Sequence, residues 1–274
     1  MEDDKTLNKG KLAQLISRYT RLNRIIAIGL PIIVVVICIA AFIVAFMGRE
    51  PEDILPTNAV FDEDGNLTEI LGNVSVCIDP GHGYDDPGAD SAFLGDEYSE
   101  ADINLDVALK VREILTKYKV NVIMTHDDSE PNDSVPQNEE GKRVIDPVWR
   151  ADFANSNADI SLFVSLHCDS FPQGESVNGV RIYYMPKAKS GEYAAVLAKD
   201  CADGIKNVFS EEVMLKPMAP DDAYYVIKHI NVPSVLIEMG FITNAEDATD
   251  MLDDAWRQNM AEGIANGIIE YILN

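Results

Sequence analysis

Basic residues are scarce in this chain of 274 residues: 22 lysines and arginines stand against 46 acids, a net charge of −24. No positive footprint of the kind that neutralises phosphates is present, so nucleic acid is not an expected partner, and the acidity speaks only for solubility. Cysteine is too scarce for a disulfide framework. Of the four, Cys38 falls in a long apolar run, while Cys77, Cys168 and Cys201 lie in or beside shorter ones. Buried free thiols are expected for these three, with a disulfide between two of them as the alternative. Internal repeats and low-complexity tracts are also lacking.

Charge is absent altogether from Ile25 to Met47. An uncharged apolar stretch of roughly 20 residues is what a helix needs to cross the hydrocarbon core of a bilayer, and Pro31 is tolerable within it. Lys5, Lys9, Lys11, Arg18, Arg21 and Arg24 precede the run, whereas only Arg49 separates it from Glu50, Glu52 and Asp53. The excess of positive charge before the span puts the N-terminus in the cytoplasm and the rest outside. The run exceeds the usual signal-peptide core, and no A-x-A-like cleavage site follows it, so a retained signal anchor is favoured over a cleaved leader. The organisation expected is a cytoplasmic basic tail (1–24), a transmembrane anchor (25–47), a linker (48–72) with a turn at Asp64-Gly65-Asn66, and one folded domain (73–274).

That domain reads as α/β, with a mostly parallel twisted sheet flanked by helices. Val74 to Asp79 is a strand. Ser99 caps a helix with Ile103, Val107, Val111 and Leu115 on one face, and Lys119 to Thr125 is a second, parallel strand. Glu130 to Pro147 reads as a loop and Val148 to Asn155 as a helix. Strands ending at His167 and over Val180 to Met185 follow, then a helix over Gly191 to Phe209. A strand ending at Glu238, a short helix capped by Asn244 and an amphipathic helix over Asp254 to Leu273 complete the domain.

Three apolar runs stop at a polar residue: Val76-Cys77-Ile78-Asp79-Pro80-Gly81 at His82, Ser161 to Leu166 at His167, and Pro233 to Ile237 at Glu238. Open α/β sheets bind ligands beyond the carboxyl ends of their strands, so the three side chains should meet at one edge. An imidazole or carboxylate at the end of a buried strand costs free energy unless something engages it. A further carboxylate is available from Glu100, in the first turn after the Ser99 cap, with Glu97 as its local competitor. Two histidines and one glutamate with an open position describe a catalytic zinc site, with Glu238 as general base. His126, beside Asp127 and Asp128, reads as a solvated loop histidine, and His229 as a surface residue. Cys168 and His167, being adjacent on a strand, point to opposite faces and make a poor nucleophile–base pair.

These segments carry a resemblance. Ile78 to Gly83 with Asp86-Pro87-Gly88-Ala89, Glu100 to Leu105, Arg150 with Ala154-Asn155, Phe163 to His167, and Pro233 to Asn244 resemble, in that order, the zinc-dependent N-acetylmuramoyl-L-alanine amidases of type 3, cell-wall hydrolases with a phosphorylase/hydrolase-like α/β fold. The resemblance covers nearly all of residues 73–274. It implies His82, Glu100 and His167 as zinc ligands, Glu238 as the catalytic glutamate, and peptidoglycan as the substrate, cleaved between muramic acid and L-alanine. The chain departs from the family pattern at Tyr84 (usually glycine), Ala101 (usually lysine) and Cys168-Asp169 (usually Ala-Asn). Some relatives carry a helix that plugs the zinc site; between Met185 and Asp221 there is room for one main helix, so no plug is expected. The rival readings are a non-catalytic peptidoglycan-binding regulator, which intact His82, Glu100, His167 and Glu238 disfavour, and a zinc peptidase acting on stem peptides.

Overall fold

The computed structural model describes residues 59–62, 64–70, 72, 74–127, 135–186 and 190–274. The expected basic tail, membrane span and first part of the linker lie outside these residues; among the described ones no helix is long and apolar enough to cross a membrane.

Six strands form one sheet in the order β4-β3-β5-β8-β6-β7: β3 (Ser75–Pro80), β4 (Asn121–Met124), β5 (Ile160–Asp169), β6 (Arg181–Tyr184), β7 (Met214–Pro217) and β8 (Ser234–Phe241). β3, β4, β5 and β8 run parallel, β6 is antiparallel to β8, and β7 is parallel to β6. Every residue of β3 and β8 is buried, which is why both read as near-continuous apolar runs: a parallel strand covered by helices has no solvent face on which polar residues could alternate.

The helix α1 (Glu100–Lys117) starts in a reciprocal cap. Ser99 Oγ accepts from the Asp102 amide at 3.2 Å and the Asp102 carboxylate accepts from the Ser99 amide at 2.8 Å. Ile103, Val107, Val111 and Leu115, spaced four apart, are all fully buried, each worth about 1.5–3 kcal/mol relative to exposure. Helices α3 (Gly191–Phe209), α5 (Ala245–Leu252) and α6 (Asp254–Leu273) share that side of the sheet; α2 (Pro147–Ser156) and α4 (Tyr225–His229) cover the other. α3 and α6 meet through glycines. A Cβ on Gly204 would come 2.3 Å from the Gly263 carbonyl oxygen, and one on Gly267 2.3 Å from Cys201 Cα. Cys77, Cys168 and Cys201 are buried free thiols.

Two short β features, a hairpin and an edge strand, were not anticipated. Within the segment expected as linker, β1 (Ala59–Phe61) and β2 (Leu67–Ile70) form an antiparallel hairpin about Asp64-Gly65-Asn66, and Ile70 is buried in the domain core. The second is β7, which follows α3 before Asp221. Its residues are mostly exposed at the sheet edge, so it carries no alternating or continuous apolar signature.

Candidate functional site

The residues that the sequence singles out do converge, although β5 and β8 do not end at His167 and Glu238 but run on to Asp169 and Phe241. His82 follows β3, His167 lies near the end of β5, and Glu238 stands directly opposite His167 on the neighbouring β8. Glu100 is the first residue of α1, where its backbone position favours an anion. One donor atom each from His82, Glu100 and His167 lies within 4.8 Å of the other two, a group that could hold a metal ion. Glu100 Oε1 is 3.2 Å from His82 Nε2 and 3.1 Å from His167 Nδ1. The other carboxylate oxygen accepts the Ala89 amide at 2.8 Å, so the group is oriented by the backbone of the Pro87–Ala89 loop as well. Burial alone would raise the carboxyl's pKa, but the hydrogen bonds and charges of His167 and His82 hold it well below the usual carboxylate range. Glu97 is exposed and outside the group.

The turn that presents His82 is held by residues far away in sequence. His82 itself has φ +64°, in the left-handed region that a side chain avoids unless its surroundings impose it. Arg150, from α2, imposes it: its guanidinium donates to the Pro80 carbonyl at 2.6 Å, the His82 carbonyl at 2.5 Å and the Asp79 carboxylate at 2.5 Å. Asp79 is fully buried and accepts further bonds from Thr125 Oγ1 and Ser165 Oγ, both at 2.7 Å. Burial works to raise its pKa, yet Arg150, Thr125 and Ser165 outweigh this and keep it ionised. The ring of His82 is oriented at its other nitrogen, where Nδ1 meets Asp86 Oδ2 at 2.9 Å. Two glycines make room for these side chains. A Cβ on Gly81 would sit 2.2 Å from His167 Cε1, and one on Gly88 2.6 Å from Glu100 Oε2.

Glu238 is buried, and its Oε2 has no hydrogen-bond partner. Burial first, then the charges of Asp169 and Glu100, push its pKa well above the ordinary value, against the opposing pull of Arg181. A cleft of about 350 Å³ opens over these groups, lined by His82, His167 and Glu238 together with Ile145, Pro147 and Tyr224.

His126 departs from expectation. It is buried, not solvated: its ring packs 5.4 Å from that of Tyr84, and a Cβ on Gly83 would come 2.3 Å from its Nε2. Burial, reinforced by the Arg150 charge, pushes its pKa down to about 4, so it is a neutral prop behind the His82 turn at neutral pH. His229 is exposed and stacked on Tyr225, as a surface residue should be. Cys168 packs in the core on the face opposite His167, its thiol pushed up by burial and neighbouring carboxylates. Three contributors escaped the sequence reading: Asp86 as the partner of His82, Arg150 as the lock on the turn, and Arg181 beside Glu238. The first two sit in segments that carry the family resemblance, but nothing in their spacing reveals which atoms they bind.

Residues 76–270 match the family described as N-acetylmuramoyl-L-alanine amidase. The germination-specific N-acetylmuramoyl-L-alanine amidase of Bacillus subtilis is 26% identical over 204 residues, 73% of this chain and 81% of that protein. N-acetylmuramoyl-L-alanine amidase LytC of the same organism is 31% identical over 198 residues, which are 72% of this chain and 35% of LytC. Among solved structures, the CwlD amidase of Clostridioides difficile, determined in complex with the GerS lipoprotein, superposes with a TM-score of 0.60 at 28% identity, covering 72% of this chain and 97% of CwlD. Together with the parallel sheet and the four convergent side chains, these matches establish that the chain belongs to the N-acetylmuramoyl-L-alanine amidase family of cell-wall hydrolases.

Proposed function

We propose that the chain is a zinc-dependent amidase that hydrolyses the amide between the lactyl carbonyl of muramic acid and the L-alanine of the stem peptide, acting outside a membrane to which residues 25–47 anchor it. The observation that carries the catalytic part is the convergence of His82, Glu100 and His167 in a cleft that also holds Glu238. Two imidazoles and one carboxylate with an open side match the donor set of catalytic rather than structural zinc. Bound there, zinc supplies Lewis acidity towards a carbonyl and acidifies water. The anchor and its orientation are supported by the uncharged run and by the basic residues that precede it.

The protein's own groups supply the rest. Asp86 fixes the His82 ring through Nδ1 and leaves Nε2 directed at the donor cluster. Glu238 takes a proton at its carboxylate from the attacking water and delivers it to the departing amine as the C–N bond breaks. Its burial raises its proton affinity, and a cation bound beside it favours the ionised form that must accept the proton. Apolar Ile145, Pro147 and Leu236 line the same cleft as these groups.

The test is product analysis. The full chain is incubated with peptidoglycan and the products are identified by mass spectrometry. Stem peptides bearing free L-alanine amino termini are expected, with activity removed by a chelator and restored by zinc. Cuts within the stem peptide, or chelator-resistant activity, would overturn the reading. Metal affinity gives a separate readout: Asp86→Ala should weaken zinc binding about 10–100-fold in competition with a chromogenic chelator. Unchanged affinity would show that the His82 ring is oriented by other means.

A further inference from the structure

Hydrolysis of an amide gathers negative charge on the carbonyl oxygen as water adds to its carbon, and a hydrogen-bond donor placed there speeds the reaction. Few side chains of the cleft can serve. Five of those that line it carry N–H or O–H groups: His82, Arg150, His167, Tyr224 and Tyr225. The two imidazoles are turned to Glu100 in the donor cluster. Arg150 is only 3% exposed, and its three nitrogens donate to Asp79 and to the Ile145, Pro80 and His82 carbonyls. Tyr225 stacks on His229, with ring centres 4.1 Å apart, and both residues are exposed.

Tyr224 remains, and the fold sets it beside Glu238. It immediately precedes α4, and its ring meets that of Tyr183 edge-on, 5.2 Å away at 86°. Tyr183 of β6 stands directly opposite Leu236 of β8, which shares a sheet face with Glu238 two residues on. Tyr224 therefore packs over the face that carries the glutamate. At 39% exposed and lining the cleft, it is open to a molecule that enters. Burial first, then the charge of Glu238, pushes its phenol well up, so the hydroxyl keeps its proton. The hydroxyl neighbours the Tyr183 phenol and can rotate from that partner to a ligand. It is not spent on Glu238 Oε2, which has no partner.

We infer that Tyr224 is a catalytic residue of this site, its O–H donating to the carbonyl oxygen of the scissile amide as charge gathers there. The inference rests on the proposed amidase reaction and divides the work at one bond. Glu238 moves the proton from water to the departing amine, whereas Tyr224 gives up no proton and stabilises the oxygen by a hydrogen bond alone.

The test compares the zinc-loaded full chain with its Tyr224→Phe variant, which keeps the ring and its packing on Tyr183. The substrate is an N-acetylmuramoyl-L-alanyl peptide. The second probe is its phosphinate analogue, in which a tetrahedral phosphorus and a methylene replace the scissile carbonyl and nitrogen. The variant is expected to lose about 10²–10³-fold in kcat, the range for removing one such donor, with KM changed less than about twofold because the bond forms only in the transition state. Its affinity for the phosphinate should fall by a similar factor, since that analogue mimics the charged oxygen. A kcat within about threefold of the unmodified chain, a loss confined to KM, or undiminished phosphinate affinity overturns the inference and leaves the amidase reading standing. So does an effect of the expected size from Tyr225→Phe with none from Tyr224→Phe. An unmodified chain that does not cleave the substrate overturns both.

Discussion

Arg150→Met should lower the free energy of unfolding by about 3–5 kcal/mol, the cost of removing one partner from a buried ion pair. Asp79 is fully buried and Arg150 nearly so, and no solvent can replace the guanidinium once it is gone. The same substitution frees the Pro80 and His82 carbonyls and the left-handed turn between β3 and the cleft. The deficit should depend on pH with a definite sign. In the native chain the Asp79 carboxyl is held below its unfolded value, so its contribution is present above about pH 4 and is lost as pH falls through the folded value. In the variant, burial dominates and favours the protonated carboxyl, whose ionisation at neutral pH opposes folding. Urea unfolding at pH 7 and again below pH 4 therefore gives a gap between the two proteins that narrows in acid. A double variant with Asp79→Asn should recover part of the loss at pH 7, because no unpaired charge then remains. A gap below 1 kcal/mol at pH 7, or one that widens in acid, would show that the pair does not stabilise the turn.

Glu238→Gln is expected to reduce kcat about 10²–10⁴-fold, the usual contribution of a positioned proton-transfer group, while zinc content stays at the wild-type level. The glutamate is not one of the three donor residues, and an amide of the same shape cannot accept and return a proton. Stability should hold or rise. The native carboxyl is buried, without a partner for Oε2, and raised in pKa by burial and by Asp169 and Glu100, so replacing it with a neutral side chain removes a charge the fold disfavours. An active enzyme within tenfold of wild type would remove Glu238 from the reaction, and a drop in thermal stability would contradict the cost assigned to its burial.

Much of the fold is legible because its central strands are buried on both faces. β3, β5 and β8 must be apolar along nearly their whole length, so a polar residue that interrupts such a run stands out: His82 just past β3, and His167 and Glu238 within β5 and β8, which continue to Asp169 and Phe241. Glu100 is legible through the helix cap that precedes it. Short or exposed elements are not: the β1–β2 hairpin and the edge strand β7 bury too little to impose a pattern. His126 misleads because its acidic neighbours Asp127 and Asp128 suggest solvent, while its own environment is set by Tyr84 and the Gly83 backbone.

The amino-acid sequence alone determined the parallel α/β core, the polar residues that interrupt its buried strands and the family resemblance, since each follows from local patterning or from residues close together in the chain. Only the tertiary structure decided how those residues are held. Arg150 reaches Asp79 across 71 positions, Glu100 meets His167 across 67, and Arg181 comes beside Glu238 through an antiparallel pairing that nothing in β6 itself announces. Such contacts depend on which strands become neighbours and on the face each side chain takes, and these are set by packing the whole domain around one core.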